Sequence, residues 1–220
     1  SFSHNAGFYK SPIHQKPVSL MGDDIYYTLN GEEPSISSGI FLSTHDSIFL
    51  NYRYADSNYF SNIPTTPLSH TFLPPKWIPP QGIVEKANII RYASFRNGER
   101  SSPIYDQTIF VDSLFEEKYK IPIISIIIPY EFMFGEDSGI YVPGDGFTEL
   151  SPIYSSNYFE DWERKAHIEY FDRSKNIGFA QNIGLRIHGG LSRCAVQKSL
   201  RVYARNEYGE KYINYKLLPD

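Results

Sequence analysis

Short alternating runs that stop at turn residues recur along this chain, and few folds can absorb such a pattern. Ile25-Tyr-Tyr-Thr-Leu29 alternates and then meets Asn30-Gly31, while Asn88-Ile-Ile-Arg-Tyr-Ala-Ser-Phe95 is followed by Asn97-Gly98. A period of two puts every second side chain on one face, and Asn-Gly accepts the positive φ of a two-residue hairpin turn. Ser47-Ile-Phe-Leu50 and Gln107-Thr-Ile-Phe-Val111 read as further strands. Helical periodicity is nearly missing from the first half. The expectation is a mainly β protein whose first half is a β-sandwich.

Composition agrees with that class. Tyr and Phe together number 33 of 220 residues, and aromatics favour strands. The net charge is −4 with acids and bases interspersed, which gives no electrostatic footprint for nucleic acid. A single cysteine, Cys194, excludes an intrachain disulfide, a cysteine zinc site and an iron–sulfur site. With no base beside it in sequence, Cys194 reads as a structural residue. No apolar run approaches the ~20 residues of a membrane span. The chain opens at Ser1-Phe-Ser-His without an initiator methionine, which suggests a processed product.

Two units are expected, 1–113 and 114–220, with a linker near Val111–Lys120. Residues 53–82 stand apart as a proline-dense excursion without periodicity, in which Trp77 reads either as a packing peg or as a ligand platform. The second unit opens with Ile121-Pro-Ile-Ile-Ser-Ile-Ile-Ile128, expected to be a buried strand. A short helical turn at Pro129–Phe134 and a loop over 137–160 follow. Ala166–Phe171, Phe179–His188 and Ser199–Arg205 complete a sheet.

The last two of these strands enclose the segment richest in chemistry. Gly189-Gly190, the hydroxyls of Ser192 and Ser199, and the cations Arg193 and Lys198 lie between them, with Arg186 on the first strand. Exposed backbone N–H groups at a glycine turn, with cations nearby, suit a phosphate. A hairpin with glycine at its turn and basic residues on its wet face also needs no ligand. No Walker loop, dinucleotide fingerprint, zinc-protease motif or nucleophile elbow occurs.

The run Arg186-Ile-His-Gly-Gly-Leu-Ser-Arg-Cys-Ala-Val-Gln-Lys-Ser-Leu-Arg201 resembles the signature of the CotH family, the spore-coat-associated atypical kinases. Pro122-Ile-Ile-Ser-Ile126, Gly139-Ile-Tyr-Val-Pro-Gly144 and Asp161-Trp-Glu-Arg-Lys-Ala-His-Ile-Glu-Tyr-Phe171 are similar to that family in the same order. The resemblance implies that Lys198 contacts nucleotide phosphates, flanked by Arg186 and Arg193, with Gly189 and Gly190 approaching the nucleotide. It places the metal-holding acids beyond residue 220, so ATP and Mg²⁺ belong to a complete family domain and neither is expected to bind tightly here. Phosphoryl transfer needs such acids. Glu136-Asp137, Asp145 and Glu160-Asp161 lie in loops without metal-loop spacing.

The first unit has its own resemblance. Phe2-Ser-His-Asn-Ala-Gly-Phe-Tyr9, Ile25-Tyr-Tyr-Thr-Leu-Asn-Gly-Glu-Glu-Pro34, Ile89-Ile-Arg-Tyr-Ala93 and Ser102-Pro103 are similar to the Ig-like module at the C-terminus of chitobiase and β-hexosaminidase enzymes. That module carries no catalytic residues, and the proline-dense excursion departs from its compact form. The pairing implies a secreted or cell-envelope bacterial protein, with an accessory module before an incomplete kinase-like domain that is inactive as it stands. The alternative is a non-catalytic surface module that binds glycan or protein.

Overall fold

The computed structural model describes residues 2–19, 22–67, 77–147 and 155–217. Parts of the proline-dense excursion (68–76) and of the loop over 137–160 (148–154) lie outside the described residues. So does the end of the chain, 218–220.

The protein is mainly β. Among the described residues it has twelve strands and only two short helices. The first half builds a six-stranded sheet from β1 (Gly7–Tyr9), β3 (Asp24–Thr28), β4 (Ile40–Leu42), β6 (Asn88–Arg96), β7 (Glu99–Arg100) and β8 (Tyr105–Val111). Its order is β1-β8-β6-β3-β4, with β7 beside β6. Only the β1–β8 pair is parallel. A ribbon of β2 (Ile13–Gln15) and β5 (Ile48–Leu50) lies apart from this sheet. Ile48 and Leu50 of the ribbon pack with Ile25, Ile90, Tyr92 and Ile109 of the sheet in one apolar core. Alternation explains the set: Ile90 and Tyr92, or Ile109 and Val111, are two residues apart and share a face.

The second half is a four-stranded antiparallel sheet. It comprises β9 (Ile123–Ile127), β10 (Arg164–Phe171), β11 (Ile177–His188) and β12 (Ser199–Tyr203), in the order β12-β11-β10-β9. Its core is separate, formed by Ile140, Tyr158, Ala166, Ile168, Ile183, Leu185, Ile187 and Cys194. The helices are α1 (Phe115–Lys118) and α2 (Tyr130–Phe134), and α2 lies where a short helical turn was expected. Helix α1 falls in a stretch read from sequence as linker.

The two Asn-Gly signals behave differently. Asn97-Gly98 makes the tight turn between β6 and β7, with φ of 52° and 87°. Asn30-Gly31 does not close a hairpin, because β3 pairs with β4 only from Ile40 onward. Tertiary contacts hold that turn instead. The Gly31 carbonyl accepts from Arg91 Nη1 at 2.8 Å, Thr28 Oγ1 donates to the Glu32 carbonyl, and Glu32 Oε1 accepts from the Tyr130 amide at 2.8 Å. The Ile121–Ile128 run also needs correction. It contains a strand, but β9 is an edge strand, and Ile121 and Ile124 are 69% and 57% exposed.

Strand β6 is buried on both faces from Ile90 to Phe95. One face belongs to the first core. On the other side the two sheets meet at a polar seam, where the Thr108 amide donates to Glu169 Oε2 at 2.9 Å and Thr108 Oγ1 lies 2.7 Å from Ser125 Oγ. Aromatic rings close one end of this seam. Phe8 stacks on Phe110 at 4.5 Å and meets Phe171 edge-on at 5.5 Å. Each such ring pair contributes about 0.5–1.5 kcal/mol beyond its buried area.

Candidate functional site

The glycine turn stands between β11 and β12, whose register pairs His188 with Ser199 and Gly184 with Tyr203. Leu185 and Ile187 anchor β11 in the second core, so Arg186 between them faces outward. Gly189 has φ 122°, a conformation open to glycine and costly for other residues. A Cβ there would also collide with Ser192 Oγ. The chain then makes a 3₁₀ turn over Leu191–Cys194. Two amides of the turn are spent within it, Arg193 N–H on the Gly190 carbonyl and Ala195 N–H on the Ser192 carbonyl. Cys194 is buried and its thiol donates to the Leu191 carbonyl at 2.7 Å, in keeping with a structural role.

Arg186 and Arg193 converge on one carboxylate. Asp161 Oδ1 lies 2.5 Å from Arg186 Nη2 and 3.5 Å from Arg193 Nη2. Arg193 also donates to the Gly189 carbonyl (2.7 Å) and the Phe159 carbonyl (3.0 Å), so its guanidinium ties the turn to the 157–160 segment. The Asp161 side chain is 78% exposed. This arrangement is a cationic pair with a displaceable anion on it.

Lys198 is placed otherwise. It is only 5% exposed. Its ammonium donates to the Thr65 carbonyl at 2.7 Å and the Ala195 carbonyl at 2.8 Å. It lies 4.3 Å from the Tyr158 ring centre and 5.4 Å from that of Tyr141, whose hydroxyl accepts from the Lys198 amide. Burial pushes the ammonium down to about 7, against an opposing contribution from Cys194. A neutral amine has two N–H groups, and the two carbonyls take both. A phosphate reaching Lys198 would have to displace the Thr65 carbonyl.

The structure therefore brings Arg186 and Arg193 onto Asp161 beside the Gly189-Gly190 turn, and tucks Lys198 between tyrosines and the excursion. Sequence reasoning missed three participants. Asp161 reads along the chain as a loop acid, and Tyr158 lies in a stretch whose sequence reads as loop. Thr65 is 133 residues from Lys198 in the chain, and nothing local in the excursion signals that it reaches the turn, where its hydroxyl also donates to the Val196 carbonyl at 2.8 Å.

The seam holds a second ionisable cluster. Arg91 and Asp106 are cross-strand neighbours on β6 and β8, with side chains 5% and 2% exposed and a 2.6 Å bond between Nε and Oδ1. His167 Nδ1 lies 3.6 Å from Asp106 Oδ2 and 3.1 Å from Asn182 Oδ1. Burial lowers the His167 pKa and raises that of Glu169, two residues along β10, to about 7; the hydrogen bonds from Thr108 oppose the latter shift. The seam thus favours a neutral imidazole, and a carboxyl that keeps its proton up to near neutrality.

Among the described residues no group of three or more His, Cys, Asp or Glu side chains is arranged to hold a metal ion, and no helix is long and apolar enough to cross a membrane. Comparison with protein-family models, curated proteins and solved structures found no match to this chain.

Proposed function

We propose that this chain is part of a secreted or cell-envelope bacterial CotH-like protein. In this reading residues 1–113 form an Ig-like accessory module of the chitobiase C-terminal type, and 114–220 the first part of an atypical-kinase domain. The two separate apolar cores support the division. One observation carries the functional reading: Arg186 and Arg193, both singled out by the resemblance, converge at a glycine turn, where the two guanidiniums share one exposed carboxylate. A phosphate oxygen is a better bidentate partner for such a pair than an exposed aspartate. The donor set fits an anion. It does not fit Mg²⁺, and no phosphoryl-transfer step is assigned to these residues.

The test is a titration of Mg²⁺-ATP against the wild-type chain, Arg186→Gln and Lys198→Met at two salt concentrations, with autophosphorylation followed in parallel. The expected result is weak binding that falls with salt, as an exposed cationic site is screened. Arg186→Gln should reduce it, Lys198→Met should not, because the Lys198 amine is buried on the Thr65 and Ala195 carbonyls, and no phosphate transfer should occur. Equal binding by wild type and Arg186→Gln, or robust transfer, would overturn the reading. The location is checked separately by the native N-terminus: a start without an export or lipoprotein signal contradicts it.

A second reading, a non-catalytic module that binds glycan or protein, is favoured by an aromatic row on the surface. Tyr59 and Phe60 are 68% and 46% exposed, and Phe60 stacks on Phe134 and lies against Tyr130. Exposed contiguous aromatics mark interaction surfaces. Loss of cell-wall glycan retention on Tyr59→Ala with Phe60→Ala, and not on Arg186→Gln, would select this reading over the first.

A further inference from the structure

At the aromatic end of the seam, away from the glycine turn, lies a cleft of about 390 Å³. This is within the size range of small-ligand sites, which favour junctions between packed units. Its apolar wall is Phe8 from β1 with Phe115 and Tyr119 from α1 and the residue after it. Its charged wall is Lys120, with Arg173 and Lys175 from the turn joining β10 to β11. The one carboxylate in the lining, Glu116, is held 3.0 Å from Lys10. Three cations therefore face the cleft without an ion pair among the described residues, in a chain whose net charge is −4. Burial pushes the Lys175 ammonium down; Asp172 opposes this, and Lys120 adds to it.

A backbone anomaly points to the same place. Lys175 has φ 68°, and the only other non-glycine residue with positive φ among the described residues is Asn97. Asn97 is conventional in its hairpin. A lysine is not, since glycine or asparagine adopts this conformation at lower cost. The turn itself is well bonded: Lys175 N–H donates to the Asp172 carbonyl and Asn176 N–H to Asp172 Oδ1, both at 3.0 Å. What the lysine adds is a cation, its Nζ 5.6 Å from the Phe8 ring centre and 3.3 Å from the Ile121 carbonyl. Strain retained at a ligand-sized cleft is a functional signal.

We propose that this cleft binds a small organic dianion with a flat apolar body, an aryl phosphate monoester being the simplest, with its ring against Phe8, Phe115 and Tyr119 and its phosphate among Lys120, Arg173 and Lys175. Three cations suit a phosphate monoester, which carries close to two negative charges at neutral pH. The ligand would touch both halves of the chain, so its binding would tighten their docking by linkage. The proposal does not rest on the kinase-like reading of the glycine turn.

The experiment titrates phenyl phosphate, inorganic phosphate and phenol into the full chain at low salt, by calorimetry and by thermal shift. Phenyl phosphate should bind saturably and about tenfold or more tighter than either fragment, since both walls contribute. Arg173→Gln with Lys175→Asn should weaken it about tenfold or more. Lys175→Asn alone should melt no lower than wild type without ligand, because asparagine accepts the backbone, yet show a smaller ligand-induced shift; a purely structural lysine would not separate the two. Lys198→Met should leave the phenyl phosphate titration unchanged. Absence of saturable binding in the millimolar range, equal binding by the double variant, or loss of binding in Lys198→Met would each overturn the proposal.

Discussion

Glu169→Gln offers the sharpest test of the seam. Glu169 is 1% exposed and accepts the Thr108 amide at 2.9 Å. Its pKa is raised from 4.5 to about 7, first by burial, and the Asp106 charge adds to the shift. The folded state therefore binds this proton more tightly than the unfolded chain. A raised pKa confers stability that is fully present below pH 4.5 and is lost as the pH rises through 7. The loss is RT ln of the ratio of the two ionisation factors, which for a shift of this size is about 3 kcal/mol at pH 7. The amide introduced by Glu169→Gln would keep an oxygen for the Thr108 N–H and supply N–H where the protonated acid supplies O–H, with no charge to bury. The expected result is that Glu169→Gln is near neutral at pH 4.5 and about 3 kcal/mol more stable than wild type at pH 7. The assay is urea denaturation of both proteins at several pH values, read as the difference between them. Taking the difference matters because His167 works in the opposite direction: its lowered pKa gives stability that is present above its ordinary 6.5 and lost as the pH falls. A difference that stays flat between pH 4.5 and 7, or that favours wild type as the pH rises, would refute the reasoning.

Three further outcomes are expected. Asp106→Asn leaves the Arg91 guanidinium buried with, among the described residues, only Glu33, at 3.8 Å and half exposed, as counterion; it should cost about 3 kcal/mol in urea denaturation at pH 7 and lower the Glu169 pKa by removing a like charge. Lys198 has a folded pKa of about 7 against an ordinary 10.5, so the folded state binds fewer protons than the unfolded chain between those values and stability rises with pH across that window. Wild type should therefore gain about 2 kcal/mol relative to Lys198→Met between pH 7 and 9, measured as the difference in unfolding free energy. Gly189→Ala should cost about 1–3 kcal/mol by thermal denaturation, and a second change, Ser192→Ala, should recover only the part due to the collision with Ser192 Oγ, because the strain at φ 122° remains.

Local chemistry was enough to determine the class of this protein. Alternation at Asn88–Phe95, at Gln107–Val111 and around the glycine turn needs only a chain's own side chains and one buried face, and these runs became β6, β8, β11 and β12. Asn97-Gly98 likewise needed no partner to choose its turn. Arg193 reaches back to the Gly189 carbonyl from four residues on, a local contact, whereas the Asp161 that joins it to Arg186 arrives from elsewhere in the chain. What local chemistry does not encode is which residue from elsewhere arrives to satisfy an atom. Asn30-Gly31 does not close a hairpin, and its Gly31 carbonyl goes instead to Arg91, buried at the seam. Lys198 reads along the chain as a cation ready for phosphate, and a carbonyl from Thr65 in the proline-dense excursion draws it into the protein. Glu169 is an ordinary carboxylate in sequence; the packing of one sheet on another removed its water and set it near the Asp106 charge, and both raise its pKa. Desolvation is a property of what covers a group, so only the tertiary structure could decide it.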